Sequence, residues 1–217
     1  MSTNQEEQSK QEKQQTALEK KTQAKNNREM IMTVATGGIC LAMSYALSLV
    51  KPFELPQGGT ITPASILPII FFCLIFGAKK GFCVTLIYSL LQLIGGYFVH
   101  PAQVILDYTL AFTIIGVSGF FAASAKKRLE VKNPIRRLKL VPFWRIILAV
   151  VLAFALRCTC HVLSGVCFFA EYAGDKNVWV YSIVYNGSFL AVEAAITCII
   201  LVGVSVALGM VRLKAEN

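Results

Sequence analysis

The chain has 217 residues, 55% of them hydrophobic and only 15% charged, with a mean hydropathy of +0.60. A soluble domain carries about 25% charged residues and mixes them throughout; here they are kept out of long apolar runs, which excludes an ordinary soluble domain. Those runs are also too long and unbroken for a β-barrel, which shows alternating segments of roughly ten residues. The net charge of +9 does not point to nucleic acid, because most lysines and arginines lie between or outside the apolar runs. The expected class is an all-α membrane protein.

Residues 1–29 are polar, rich in Gln, Lys and Glu, and hold no aromatic residue. They are expected to form a solvated cytoplasmic tail, disordered or a fraying helix. Residues 30–217 are expected to form one membrane domain. No signal-peptide core precedes the first apolar run, so that run is read as a retained anchor. It extends from Met30 to Val50, long enough to span a bilayer. Gly38, Ala42 and Ala46 recur every four residues along it, a small-residue stripe that lets another helix approach closely. The stripe packs either within this protein or against a partner.

The loop KPFELPQGGTITP comes next, and its prolines and Gly58-Gly59 forbid a continuous helix. Run two, Pro63 to Phe76, is short for a span. Gly77, Lys79, Lys80 and Gly81 predict a tight turn. Run three is Phe82 to Val99, broken by His100-Pro101. Run four, Ala102 to Ala125, carries Asp107 and Tyr108 near its start. A basic loop of about fourteen residues precedes run five, Phe143 to Phe169. The polar loop EYAGDKN precedes run six, Val178 to Met210, which contains Glu193.

Six runs predict a bundle of six transmembrane helices. Lysine and arginine mark the cytoplasmic side. Eighteen of the 21 fall in the tail, the Lys79-Lys80 turn, the 126–145 segment and the C-terminus. Both termini are therefore expected to be cytoplasmic. In that orientation PQGGT, His100, Asp107, Tyr108, Glu171, Tyr181 and Asn186 gather at the outer ends of spans.

The chemistry concentrates in RCTCHVLSGVCFFAEYAGDKNVWVYSIVYN. Arg157, His161, Gly165 and Phe169 recur every four residues and form one slowly drifting helix face. A cation and an imidazole persist in such a run only if they face a protein interior, a watery cavity or a ligand. Tyr181 and Asn186 lie near the start of the next run. Together these residues read as a binding pocket at the outer membrane face. Asp107 either pairs with Arg157 or faces a ligand; Glu193 is either bonded within the bundle or a deeper contact. Ring faces suit a flat or cationic aromatic solute.

The seven cysteines all lie in apolar stretches and read as packing residues; C-x-C at Cys158 and Cys160 lacks metal-ligand spacing. Neither disulfide nor metal is expected. No phosphate-binding G-x-x-x-x-G-K-[ST] occurs, no nucleophile stands with a base, and no inverted repeat is evident. No catalytic residue is assigned. A substrate-binding membrane subunit powered by another protein fits.

Four pieces carry a resemblance: PQGG, HPAQVILDYTLAF, R-x-x-x-HVLSGVCFF and W-x-YSIVYNG. With them the chain, from about residue 30 to 210, resembles the thiamine-specific substrate-binding subunits (S-components) of energy-coupling factor (ECF) transporters. The resemblance implies high-affinity capture of thiamine at the outer face and delivery through a transmembrane coupling subunit with two ATPases. No cofactor is implied for the chain itself, ATP being used by the partners. It places ligand contacts on Asp107, Tyr108, His161, Gly165, Tyr181 and Asn186, with Phe169 standing where some relatives have tryptophan. It makes Pro56, Gln57, Gly58 and Gly59 part of a lid loop and gives Gly38, Ala42 and Ala46 the docking role. The chain departs from some relatives in having Asp107 for a glutamate and no tryptophan before Trp144. An S-component for another vitamin, a self-sufficient secondary transporter and an intramembrane enzyme are the alternatives.

Overall fold

The computed structural model describes residues 2–55, 59–62 and 64–215. Contacts divide the chain into two units, Met1–Thr36 and Gly37–Asn217. The first unit is helical from Ser2, within a helix, α1, that runs Ser2–Ser48. The second unit holds the end of α1 and everything after it.

After α1 the chain makes a two-residue hairpin, β1 (Phe53–Glu54) and β2 (Thr60–Ile61), antiparallel with Phe53 opposite Ile61. Four helices then supply the bundle: α2 (Leu67–Phe76), α3 (Ala78–Leu91), α4 (Pro101–Phe121) and, after the basic segment with its short helix α5 (Ala125–Glu130), α6 (Phe143–Phe168). The last helix, α7, is Val178–Ala215. Among the described residues, Lys13–Ser48, Pro101–Phe121, Phe143–Phe168 and Val178–Met210 are long and apolar enough to cross a membrane. Helix α2, ten residues and so about 15 Å long at 1.5 Å per residue, is shorter.

Helix α2 is instead the centre of the core. Ile69, Ile70, Phe72, Cys73, Leu74 and Ile75 are all fully buried. An apolar helix hidden on every side needs no polar face, which is why its sequence shows no helical periodicity. Around it α6 packs on α7 and on α4, and α3 packs on α4. Tyr88 of α3 is fully buried; its hydroxyl donates to the Ser44 carbonyl at 3.4 Å and its ring meets Phe112 edge-on. On α1, Cys40 and Ser44 turn into this core, whereas Gly38, Ala42 and Ala46 are exposed and a Cβ at Gly38 would touch nothing. Among the described residues nothing covers the small-residue stripe.

One run is shorter than its composition predicts. The helix of run three ends at Leu91, not Val99. Turns continue through Gly95, whose φ of +78° favours glycine because it has no Cβ to clash. The apolar residues Tyr97, Phe98 and Val99 therefore lie on a loop. That loop ends at His100, whose Nδ1 accepts the Ala102 amide at 3.1 Å, with Pro101 in the first turn of α4, where its missing N–H is not needed.

Candidate ligand-binding site

Helix α4 does not run as a uniform α-helix. Residues Ile105–Leu110 form a π-helical turn and Ile114–Phe121 a 3-10 stretch. A π turn inserts an extra residue per turn and re-aims the side chains beyond it, and such turns are frequent at functional sites. Asp107 and Tyr108 sit in it. Facing them, α6 presents Arg157, His161 and Gly165, and Phe169 ends that helix as its C-cap. From α7 come Tyr181, Ser182, Tyr185, Asn186 and Phe189. Gly59 and Thr60 close the ring from the hairpin, Tyr97 from the loop after α3, and Gln103 and Phe112 from α4. Together they line a cavity of about 150 Å³.

All seven residues marked as contacts in the sequence, Asp107, Tyr108, His161, Gly165, Phe169, Tyr181 and Asn186, line this one cavity. Gly59 of the outer loop lines it too; Pro56, Gln57 and Gly58 lie outside the described residues.

The Asp107 carboxylate is held by three donors. His161 Nδ1 lies 2.9 Å from Oδ1, and Oδ2 accepts from Ser164 Oγ at 2.7 Å and from Gln103 Nε2 at 2.8 Å. With the ring neutral and Nδ1 donating to the carboxylate, Nε2 carries a lone pair. That Nε2 is buried and has no partner among the described residues. An unpartnered imidazole nitrogen therefore stands beside the carboxylate. Asn186 contributes similarly. Its Nδ2 is spent on the Ser182 carbonyl at 3.0 Å, Ser182 Oγ at 3.2 Å and the His161 carbonyl at 3.4 Å, which leaves its side-chain oxygen to accept from a guest.

The walls are aromatic. Tyr181 and Tyr185 stack with centroids 6.1 Å apart, and Phe189 meets Tyr185 edge-on at 5.9 Å. Tyr185 also accepts the Gly59 amide at 3.0 Å and so ties the hairpin to α7. On the other side Tyr97 lies beside Phe169 at 6.4 Å. The Tyr108 hydroxyl fixes that loop, accepting from the Tyr97 amide at 2.8 Å. Gly165 leaves Ser182 its place: a Cβ there would collide with Ser182 Oγ and come within 3.2 Å of Ser182 Cβ.

Arg157 does not pair with Asp107. Its Nη1 meets Glu193 Oε2 at 3.2 Å, and its guanidinium lies over the Phe112 ring at 4.5 Å. Position along the helices decides this: Asp107 is level with His161 and Ser164, whereas Arg157 lies a turn deeper, level with Glu193. Glu193 itself does not line the cavity, so it is a bundle partner and not a deeper contact. Sequence reasoning also passed over Gln103, Ser164 and Ser182. Gln103 and Ser182 each stand four residues before a marked residue, Asp107 and Asn186, and a search for polar neighbours at that helical spacing would have found both. Ser164 gives no such signal, since its role depends on the α4–α6 crossing.

Among the described residues no cluster of three potential metal ligands occurs, and the seven cysteines are free thiols. Residues 34–211 match the model of the thiamine transporter protein family. The chain belongs to that family. The thiamine transporter ThiT of Bacillus subtilis (strain 168) is 33% identical over 181 residues, which is 81% of this chain and 91% of that protein. ThiT of Lacticaseibacillus paracasei is 33% identical over 111 residues, 51% of this chain and 52% of that protein. A solved structure of ThiT from Listeria monocytogenes has the same fold, with a TM-score of 0.65 at 22% identity over 84% of this chain and 96% of that one. This member of the thiamine transporter family is a multi-pass cell-membrane protein, and its relatives are named as transporters, not enzymes.

Proposed function

We propose that the chain is the high-affinity thiamine-binding S-component of an ECF-type uptake transporter, binding thiamine in the cavity between α4, α6 and α7. The observation that carries this reading is the convergence of all seven marked residues on one cavity that pairs a carboxylate with aromatic walls. Thiamine joins a permanently cationic thiazolium to an aminopyrimidine. Asp107 supplies negative charge and acceptor oxygen; His161 Nε2 and the Asn186 oxygen supply further acceptors for an amino group. The rings of Phe169, Tyr181 and Tyr185 supply faces for a flat cation. Among the described residues no tryptophan lines the cavity, so tyrosine and phenylalanine do the stacking.

The six apolar runs cross the membrane six times, and both termini are cytoplasmic. The cavity then opens toward the outside. The chain has no nucleotide-binding signature, and a transmembrane coupling subunit with two ATPases supplies the energy. The exposed stripe Gly38, Ala42 and Ala46 is the surface that receives the coupling subunit, because small side chains let helix backbones approach. Denaturing the purified protein and recording the ultraviolet spectrum of the released ligand tests the substrate directly. The spectrum of thiamine is expected; that of another vitamin would replace the substrate, and co-purification with ATPase subunits tests the transport class.

A further inference from the structure

Glu193 lies seven residues beyond Asn186 on α7 and is 2% exposed. A carboxylate so deep in an apolar helix persists only when its oxygens are satisfied. Oε2 takes Arg157 Nη1 at 3.2 Å. Oε1 accepts the Thr62 amide at 2.8 Å and also the Thr62 hydroxyl. Thr62 comes directly after β2, is 7% exposed, and its hydroxyl lies 2.8 Å from Ser65 Oγ. One carboxylate therefore joins three pieces of chain: the strand leaving the outer loop, α7, and α6 through the cavity-lining Arg157.

An ion pair that served only as bundle glue would account for Arg157 and Oε2. It would not account for Oε1, which is given wholly to Thr62. The same strand is also tied to α7 higher up, where Gly59 donates to Tyr185 at 3.0 Å. Residues 59–62 are thus fixed to α7 at two heights. The upper tie is a single neutral hydrogen bond at the cavity wall. The lower one is a charge-assisted pair of bonds in a buried place, and charged acceptors hold about twice as strongly as neutral ones. Gly59 and Thr60 form part of the cavity wall between these ties.

We propose that Glu193 is a positioning residue: by holding Thr62 to α7 it fixes the Gly59–Thr60 part of the cavity wall, and so sets how long a ligand stays without touching it. This rests on the reading of the cavity as a thiamine site. Thr62→Val tests it best, since valine keeps the shape and the backbone bond, deletes the hydroxyl bond and leaves the Arg157–Glu193 pair in place. Thiamine dissociation should quicken about tenfold, the equivalent of one charge-assisted hydrogen bond, at unchanged binding stoichiometry, and Thr62→Ser should restore the parent rate. Hydrogen exchange measured without ligand should quicken in residues 59–62 but not in α6 or α7. Parent-like dissociation and exchange in Thr62→Val would overturn the proposal. So would loosening spread over α6 and α7 with a fall in stoichiometry, which is the mark of a purely structural bond. If the parent protein binds no thiamine, the ligand reading fails separately, and the ligand-free exchange still decides whether Glu193 anchors the strand.

Discussion

Replacing Gly165 with alanine would test whether α6 and α7 approach closely for the sake of Asn186. The new methyl would occupy the place of Ser182 Oγ and lie 3.2 Å from Ser182 Cβ and 3.5 Å from Asn186 Nδ2. Ser182 would have to change rotamer. Its hydroxyl would then lose its bond to the Val162 carbonyl, 3.0 Å, and the one it receives from Asn186, 3.2 Å. Two neutral hydrogen bonds are worth about 2 kcal/mol together. Alanine regains about 1 kcal/mol of helix propensity, so the fold should lose only about 1 kcal/mol. The Asn186 amide, however, loses one of its three fixings. A loss of about 1.4 kcal/mol in binding is tenfold, and a tenfold weaker thiamine affinity with a slightly lower melting temperature is expected by titration calorimetry. Ser182→Ala removes the same two bonds by another route. If the mechanism is displacement of that hydroxyl, Gly165→Ala and Ser182→Ala together should weaken binding hardly more than either alone. Additive losses, or parent-like affinity in Gly165→Ala, would show that displacement of the Ser182 hydroxyl does not govern binding.

Topology has a direct test. Single cysteines at Gly59 or Asp175 in a cysteine-less background should react with impermeant reagents added outside, and one at Lys132 should not; outside labelling at Lys132 would reverse the orientation. Liposomes holding only this chain should bind thiamine without accumulating it under any ion gradient, and accumulation would favour a secondary transporter. A bulky residue at Ala42 should impair assembly with the coupling subunit while leaving thiamine binding by the isolated chain intact. Normal uptake by that variant would remove the stripe from the docking surface.

The longest elements were legible because apolar runs free of charge have few other readings. The apolar pattern of run five predicts Phe143 to Phe169 and the helix is Phe143–Phe168; run six starts at Val178 in both. The loop after α3 is hidden in the sequence by Tyr97, Phe98 and Val99, which are as apolar as the helix before them; the helix ends at Leu91, and Gly95-Gly96 is the turn signal that marks the break. Side-chain spacing on α6 placed Arg157, His161 and Gly165 on one face, and all three line the cavity. Spacing within a helix cannot choose between partners on two others, and so Asp107 was considered for Arg157 when Glu193 holds it. Nor could a sequence announce that Ser164 reaches Asp107, which requires the α4–α6 crossing and the π turn at Ile105–Leu110.

Thiamine bound between α4, α6 and α7 would have Asp107 as its charged contact. Asp107→Asn keeps the shape but removes the charge, and turns one acceptor into a donor facing the donors Gln103 and Ser164. Titrating purified parent and variant with thiamine in detergent decides the matter. Saturable binding by the parent at one site per chain, and an affinity about ten- to hundredfold lower in a monodisperse Asp107→Asn protein, is the predicted result, from about 1–3 kcal/mol for one buried charged partner. Equal affinity in both proteins would contradict the site, and no binding by the parent would contradict the function.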